Sequence, residues 1–319
     1  MTTAPAAPAF QTADRPARGT RPKLPRLRAV LLEQVRVTGL ALRRVALIAA
    51  ALLALLTTFA VGQVLSRGAD LTLNAWPTQL PGLLGALLPI AVWARDERFG
   101  PGFLWTLPVD RREHAFTKVV AGWVWLMGSV ALFLGWLLAV TAATDGRALP
   151  PETLHVLTSH FAGGGPLDPA ALRTVRWAPG PLIWAVPFTA ATATYLLASA
   201  LVLGSRHPLR WVIGAVVAYV LSSIASETAS AQLRAGWLDG APGRLLRLVV
   251  ESRYGLDALL TARIESLSNP VTFTTGKGDI VWWAVPDLAD WRTATLLWTG
   301  AGVLALWAAI SRHRERRRA

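Results

Sequence analysis

Six stretches of the chain are apolar and carry no Asp, Glu, Lys, Arg or His: 45–66, 71–94, 119–143, 181–204, 211–226 and 293–311. A helix needs about 20 residues to cross a hydrocarbon core of about 30 Å, so five of the six are long enough as they stand. The remaining one, WVIGAVVAYVLSSIAS, reaches that length by running on through Glu227 to about residue 230. Prolines 77, 81 and 89 fall in the second stretch and Pro187 in the fourth. Membrane helices tolerate proline better than soluble ones do, and the second span is expected to bend or to begin late, near Leu80.

The stretches between the spans have patterns of their own. Residues 1–23 are rich in Ala, Pro, Thr and Arg and have no period, which reads as a disordered tail. From 24 to 44 the period is helical. Leu27, Val30, Leu31, Val35, Thr38 and Leu42 fall on one side of the wheel, and Arg28, Glu33, Arg36, Arg43 and Arg44 on most of the other. Such a helix suits the membrane surface, apolar face down and arginines on anionic headgroups, with Leu27, Leu31, Val35 and Arg36 as its contact residues. The alternative is an extension of the first span. Residues 144–180, with Gly163-Gly164-Gly165-Pro166, read as loop with some helix. Residues 227–292 open with a helical pattern and close on a β-like or interfacial stretch, PVTFTTGKGDIVWWAVPDLADW. Connections are usually short, so a segment of this size predicts a folded element rather than a tether.

The expected fold is therefore an all-α integral membrane protein. It has six transmembrane helices over 45–311, an amphipathic interfacial helix at 24–44, and a larger extracytoplasmic segment before the last helix. Composition agrees, with 53% hydrophobic residues, 16% charged residues and 15 Trp; soluble domains carry about 25% charged residues. Net charge is +13, and its placement gives it meaning. With a cytoplasmic N-terminus, 21 of the 32 Lys and Arg residues lie inside, in 1–44, 95–118, 205–210 and the basic tail 312–319. Arg43, Arg44, Arg95, Lys118, Arg206, Arg210 and Arg312 flank the inner ends of the spans. The charge is thus a topology signal and not a nucleic-acid footprint, and both termini are expected in the cytoplasm of a cell carrying this chain in its plasma or inner membrane.

The missing chemistry narrows the class further. Cysteine is absent, so there is no disulfide framework and no thiol nucleophile. Gly276-Lys277 is followed by Gly278 and does not make a phosphate-binding loop. His155 and His160 are five apart, which is not the spacing of a helical zinc pair. No Gly-x-Ser-x-Gly elbow occurs. These absences describe a chain that is not an enzyme and has no catalytic, cofactor-binding or metal-binding residues. The uncharged spans also lack the buried ionisable groups on which ion-coupled carriers rely. Energy for any transport would have to enter from outside the lipid.

That directs attention to 95–118, between the second and third spans. Gly100-Pro101-Gly102 breaks a helix and permits reversal of the chain. Phe103, Leu104, Trp105 and Leu107 are apolar on the cytoplasmic side, and Pro108 and Asp110 suit the start of a helix continuing through Arg111, Arg112 and Glu113. Aromatic residues beside ordered charges mark a docking surface; contact with inner headgroups is the plainer alternative.

The run from Asp96-Glu97 through Gly100, then Leu-Trp-Thr-Leu-Pro-Val-Asp-Arg at 104–111 and Lys118, resembles the signature of ABC transporter permeases of the type-2 exporter class, the drug and antibiotic exporters. The plan of the chain over about 24–311 resembles that family too. The chain departs from it at Gly100-Pro101, where Gly-Thr is common, and at Asp110, where Ser is common. The resemblance implies a permease subunit without cofactor of its own, dimeric with an identical or sister permease. It would be powered by a separate ABC ATPase, itself a homodimer, that binds ATP and Mg. The ATPase-coupling residues would be Glu97, Gly100, Gly102, Leu107, Pro108, Asp110, Arg111, Arg112 and Glu113. Spans lined with Ala, Leu, Val, Gly, Thr and Trp suit a hydrophobic or amphiphilic cargo. The competing expectation is a non-transport scaffold or sensor subunit whose outer segment binds a ligand.

Overall fold

The computed structural model describes residues 24–67, 79–93, 111–157, 172–205, 207, 209–215, 217–218, 244, 248–250, 252–261, 271–272, 280–282 and 288–312. In chain order these form α1 (Leu24–Arg67), α2 (Gln79–Trp93), α3 (Arg111–Ala143), β1 (Glu152–Leu157) and β2 (Leu172–Trp177). A 3-10 turn (Pro181–Ala185) then leads into α4 (Val186–Gly204), followed by α5 (Leu256–Thr261), β3 (Val271–Thr272), β4 (Ile280–Trp282) and α6 (Ala289–Arg312). The expected tail 1–23 and most of 312–319 lie outside the described residues.

The segments 24–44 and 45–66 are not separate elements. α1 is helical without interruption over 44 residues, as the extension alternative holds. Its only proline, Pro25, sits in the first turn, where the missing N–H is harmless, and nothing after it stops propagation. At 1.5 Å per residue the helix is about 66 Å long, roughly twice the hydrocarbon thickness.

Four helical stretches are long and apolar enough to cross a membrane: Arg28–Val64, Arg112–Ala143, Pro181–Gly204 and Ala289–Arg312. The chain is accordingly a mostly helical membrane protein. α2 is apolar but has 15 residues, about 22 Å, which falls short of a full crossing. The described part of α2 opens at Gln79, and the residues before it, 68–78 with Pro77, lie outside the described residues. Of the stretch 211–230, helical residues are described only at 209–215 and 217–218, and the rest lies outside the described residues.

The architecture is not purely α. A four-stranded sheet has the order β2-β1-β4-β3: β1 and β2 lie where loop with some helix is expected at 144–180, and β3 and β4 lie in the stretch after residue 269 that reads as β-like. β1 and β2 pair antiparallel from Glu152↔Trp177 to Leu157↔Leu172, and His155 Nδ1 lies 3.3 Å from Thr174 Oγ1 across the pair. β4 adds to the other edge of β1 in parallel, with His155 opposite Val281 and Val156 opposite Trp282, and β3 pairs antiparallel with β4. The segments 144–180 and 227–292 thus share one sheet. Its cause is a period of two in ETLHVL, where Leu154 and Val156 are buried while Thr153 is exposed.

The helical core is organised around α4, which packs mainly on α2 and α6. Small residues permit the close approach. A side chain at Gly85 would meet the Ala191 carbonyl and Thr194 Oγ1, and one at Gly302 would meet Leu196 Cβ at 2.8 Å. Thr194 Oγ1 donates to Gly82 O at 2.8 Å, and the fully buried Tyr195 donates to Val119 O at 2.8 Å, tying α4 to α2 and α3. α5 closes the group at the sheet end. Ala258 and Leu259 are buried with Ala193 and Ala294, and Leu260 covers Gly82. Arg253 Nε donates to both oxygens of Asp290, at 2.9 and 3.0 Å, pinning this corner to the first turn of α6.

Candidate functional site at the basic end of the bundle

The chain path brings the first turns of α1 and α3 and the last turns of α2, α4 and α6 to one end, opposite the sheet. This end is basic: Arg28, Arg36, Arg43, Arg44, Arg112, Arg210 and Arg312 are all exposed. Lipid headgroups and acidic protein surfaces both favour such a ring of guanidinium groups.

Here α1 lies along α3. Leu31 and Val35 are half-buried against it, Thr38 and Leu42 are buried, and Arg36 points away and is exposed. Leu27 lies in the first turn of α1. Gln34 Nε2 and His114 Nδ1 are 3.4 Å apart, and Trp125 Nε1 donates to Val35 O at 2.8 Å. The Trp125 ring occupies the place a side chain at Gly39 would take, with Cε2 at 2.9 Å. Thr57 continues the seam further along, accepting from Trp136 Nε1 at 2.6 Å while donating to Leu53 O at 2.7 Å. An indole N–H within a lipid-embedded interface needs an acceptor, and here two tryptophans of α3 find theirs on α1.

The residues singled out for coupling divide into two groups. Glu97, Gly100, Gly102, Leu107, Pro108 and Asp110 lie outside the described residues. Arg111, Arg112 and Glu113 form the first turn of α3, with Arg112 exposed, Glu113 partly buried and Glu113 the acidic residue of that turn. An acid suits this position because the unpaired N–H groups of a helix start carry partial positive charge. The two segments named from sequence, 27–36 and 111–113, therefore converge: Gln34 on the first meets His114, immediately beyond the second.

Sequence reasoning did not find the contacts that make this junction. Lys118 is only 7% exposed, and its Nζ stands 4.5 Å from the centroid of the Trp93 ring, joining α3 to the last residue of α2. Gly122, one turn along, is met by Val92 Cγ2 and Tyr195 Cζ, each 3.2 Å from where its Cβ would stand. In the sequence Lys118 stands as a flanking charge and as the end of the 96–118 signature, and neither role points to Trp93. The pairing of Gly39 with Trp125 spans more than eighty residues and left no local signal. Among the described residues no group of three His, Asp or Glu could hold a metal ion. The arrangement offers an exposed basic surface on helix ends that pack against one another.

Comparison with protein-family models, with curated proteins and with solved structures gives no match to this chain.

Proposed function

We propose that this chain is the membrane-spanning permease subunit of an ATP-driven ABC exporter of the type-2 class, exporting a hydrophobic or amphiphilic cargo. The observation that carries the reading is the packing of α1 residues 31–42 along the first half of α3, with Gln34 beside His114. A separate ATPase has to push on the membrane helices from one end. Here that end joins two amphipathic helix starts, with Arg36 and Arg112 exposed on it. The remaining support is in the sequence: the 96–118 signature, the uncharged spans and the placement of the basic residues. In this reading both termini are cytoplasmic, and the ATPase docks near Gly102–Glu113 and around Leu27–Arg36. A second permease, identical or sister, completes a pathway too large for one set of spans.

The test is co-purification with an ABC ATPase, followed by hydrolysis assays on Arg111→Glu/Arg112→Glu. Loss of the complex, or hydrolysis no longer stimulated by cargo, is expected, with normal membrane insertion. Normal binding and export by the doubly reversed chain would overturn the reading. A second reading, a sensor subunit without transport, is favoured by the shared sheet of the two outer segments, which is more structure than a connector needs. A chain that binds no ATPase but binds a ligand on its sheet would establish it.

A further inference from the structure

We propose that Lys118 is a positioning residue. By seating its ammonium on the Trp93 indole it ties the end of α2 to the start of α3, and so fixes the two ends of the 94–110 segment relative to each other. Trp93 is the last residue of α2, and α3 begins at Arg111, so 17 residues of chain leave one helix and return to the other. Such a segment passes a push to both helices together only if their ends cannot splay.

The contact is built for that purpose. Lys118 is 7% exposed with Nζ 4.5 Å from the ring centroid, in the range where the negative face of an indole attracts a cation, and more strongly as water is excluded. An apolar side chain would fill the same space without the desolvation that burying an ammonium costs. What the ammonium adds is direction: it holds one ring face at one place. The surroundings are rigid. Val92 is 2% exposed and packs where Gly122 has no side chain, and Tyr195 Oη donates to the carbonyl of Val119, the residue after Lys118. Three helices therefore meet within one turn of the tie. Its effect on coupling rests on the function proposed above; the tie itself does not.

The absence of native cysteine makes the distance measurable. Leu87 on α2 and Phe116 on α3 are exposed, and Leu87→Cys/Phe116→Cys in the full chain can carry a spin-label pair in lipid nanodiscs. The parent is expected to give one narrow distance distribution. Lys118→Met and Trp93→Leu should each raise the splayed population about tenfold, the scale of a desolvated cation–π contact. Lys118→Arg, which keeps a cation for the ring, should restore the narrow distribution, and this rescue separates a tie from simple packing. A narrow distribution in Lys118→Met, or one as broad in Lys118→Arg as in Lys118→Met, would overturn the proposal. Should Lys118→Met fail to fold, Trp93→Leu against Trp93→Phe decides: broad and near-parental respectively support the tie, and two equal distributions refute it. With the partner ATPase present, Lys118→Met should lower cargo-stimulated hydrolysis and leave the complex intact. If the parent chain binds no ATPase, the proposed function fails while the distance measurement still decides the tie.

Discussion

At the crossing of α2 and α4 backbone approaches backbone closely, and Gly85→Ala tests whether that approach is required. The new Cβ would press on the Ala191 carbonyl oxygen and Thr194 Oγ1, and would lie 3.1 Å from the Ala191 carbonyl carbon. Two of these atoms are backbone, and the third belongs to a hydroxyl held by Gly82 O at 2.8 Å. None can swing aside as the tip of a flexible side chain would, so α2 must withdraw. Overpacking of this kind costs about 1–3 kcal/mol. Withdrawal also breaks the Thr194–Gly82 bond, worth about 0.6 kcal/mol between membrane helices. Gly→Ala raises helix propensity by up to about 1 kcal/mol, which would blur the result in a single variant. The reference is Gly128→Ala on α3, where nothing lies within 4 Å. The propensity gain is common to both and cancels, leaving Gly85→Ala less stable than Gly128→Ala by about 1.6–3.6 kcal/mol. Reversible unfolding in mixed micelles, followed by circular dichroism against the mole fraction of denaturing detergent, measures the difference. Agreement of the two variants within about 0.5 kcal/mol, the usual scatter for sites without a specific mechanism, would show that α2 and α4 do not cross at Gly85.

Two further outcomes follow from particular contacts. Trp125→Phe keeps most of the ring over Gly39 but removes the donor to Val35 O, so α1 should separate from α3 more easily, at a cost of about 1 kcal/mol; the measurement is protease sensitivity of 24–44 in detergent, and unchanged sensitivity would contradict the seam. His155→Cys/Val281→Cys should form a disulfide on mild oxidation, since the two positions are aligned in the register of the parallel pair, whereas Thr153→Cys/Val281→Cys should not; equal cross-linking of both pairs would deny the register.

Much of the helical layer was legible along the chain because lipid imposes a simple rule. A segment without water must satisfy its own backbone and shed its charges, and that rule is written in consecutive residues. Hence α3, α4 with its preceding turn, and α6 coincide with expected spans. The boundary at residue 44 misled because amphipathicity reports which face is polar, and not whether the axis turns. No breaker stands between 26 and 67, and α1 runs straight through the change of pattern.

The sheet was legible only in part, β3 and β4 falling in the β-like stretch after residue 269 while β1 and β2 fell where loop and helix were expected, and the reason is different. Strands of six, six, two and three residues carry few periods each, and β1 is stabilised by a partner more than a hundred residues away. The same distance hid the basic junction. The pattern of 24–44 pointed to a membrane surface and the resemblance gave 111–113 a coupling role; that Gln34 meets His114, Gly39 receives Trp125 and Lys118 rests on Trp93 depends on how helices cross. Sequence by itself determined the membrane class, the helix-forming stretches and the side on which charge accumulates, because these follow from transfer free energies of consecutive residues. Only the tertiary structure decided which helices touch, where glycine is required and which lysine is buried, because these depend on contacts between residues that the chain keeps far apart.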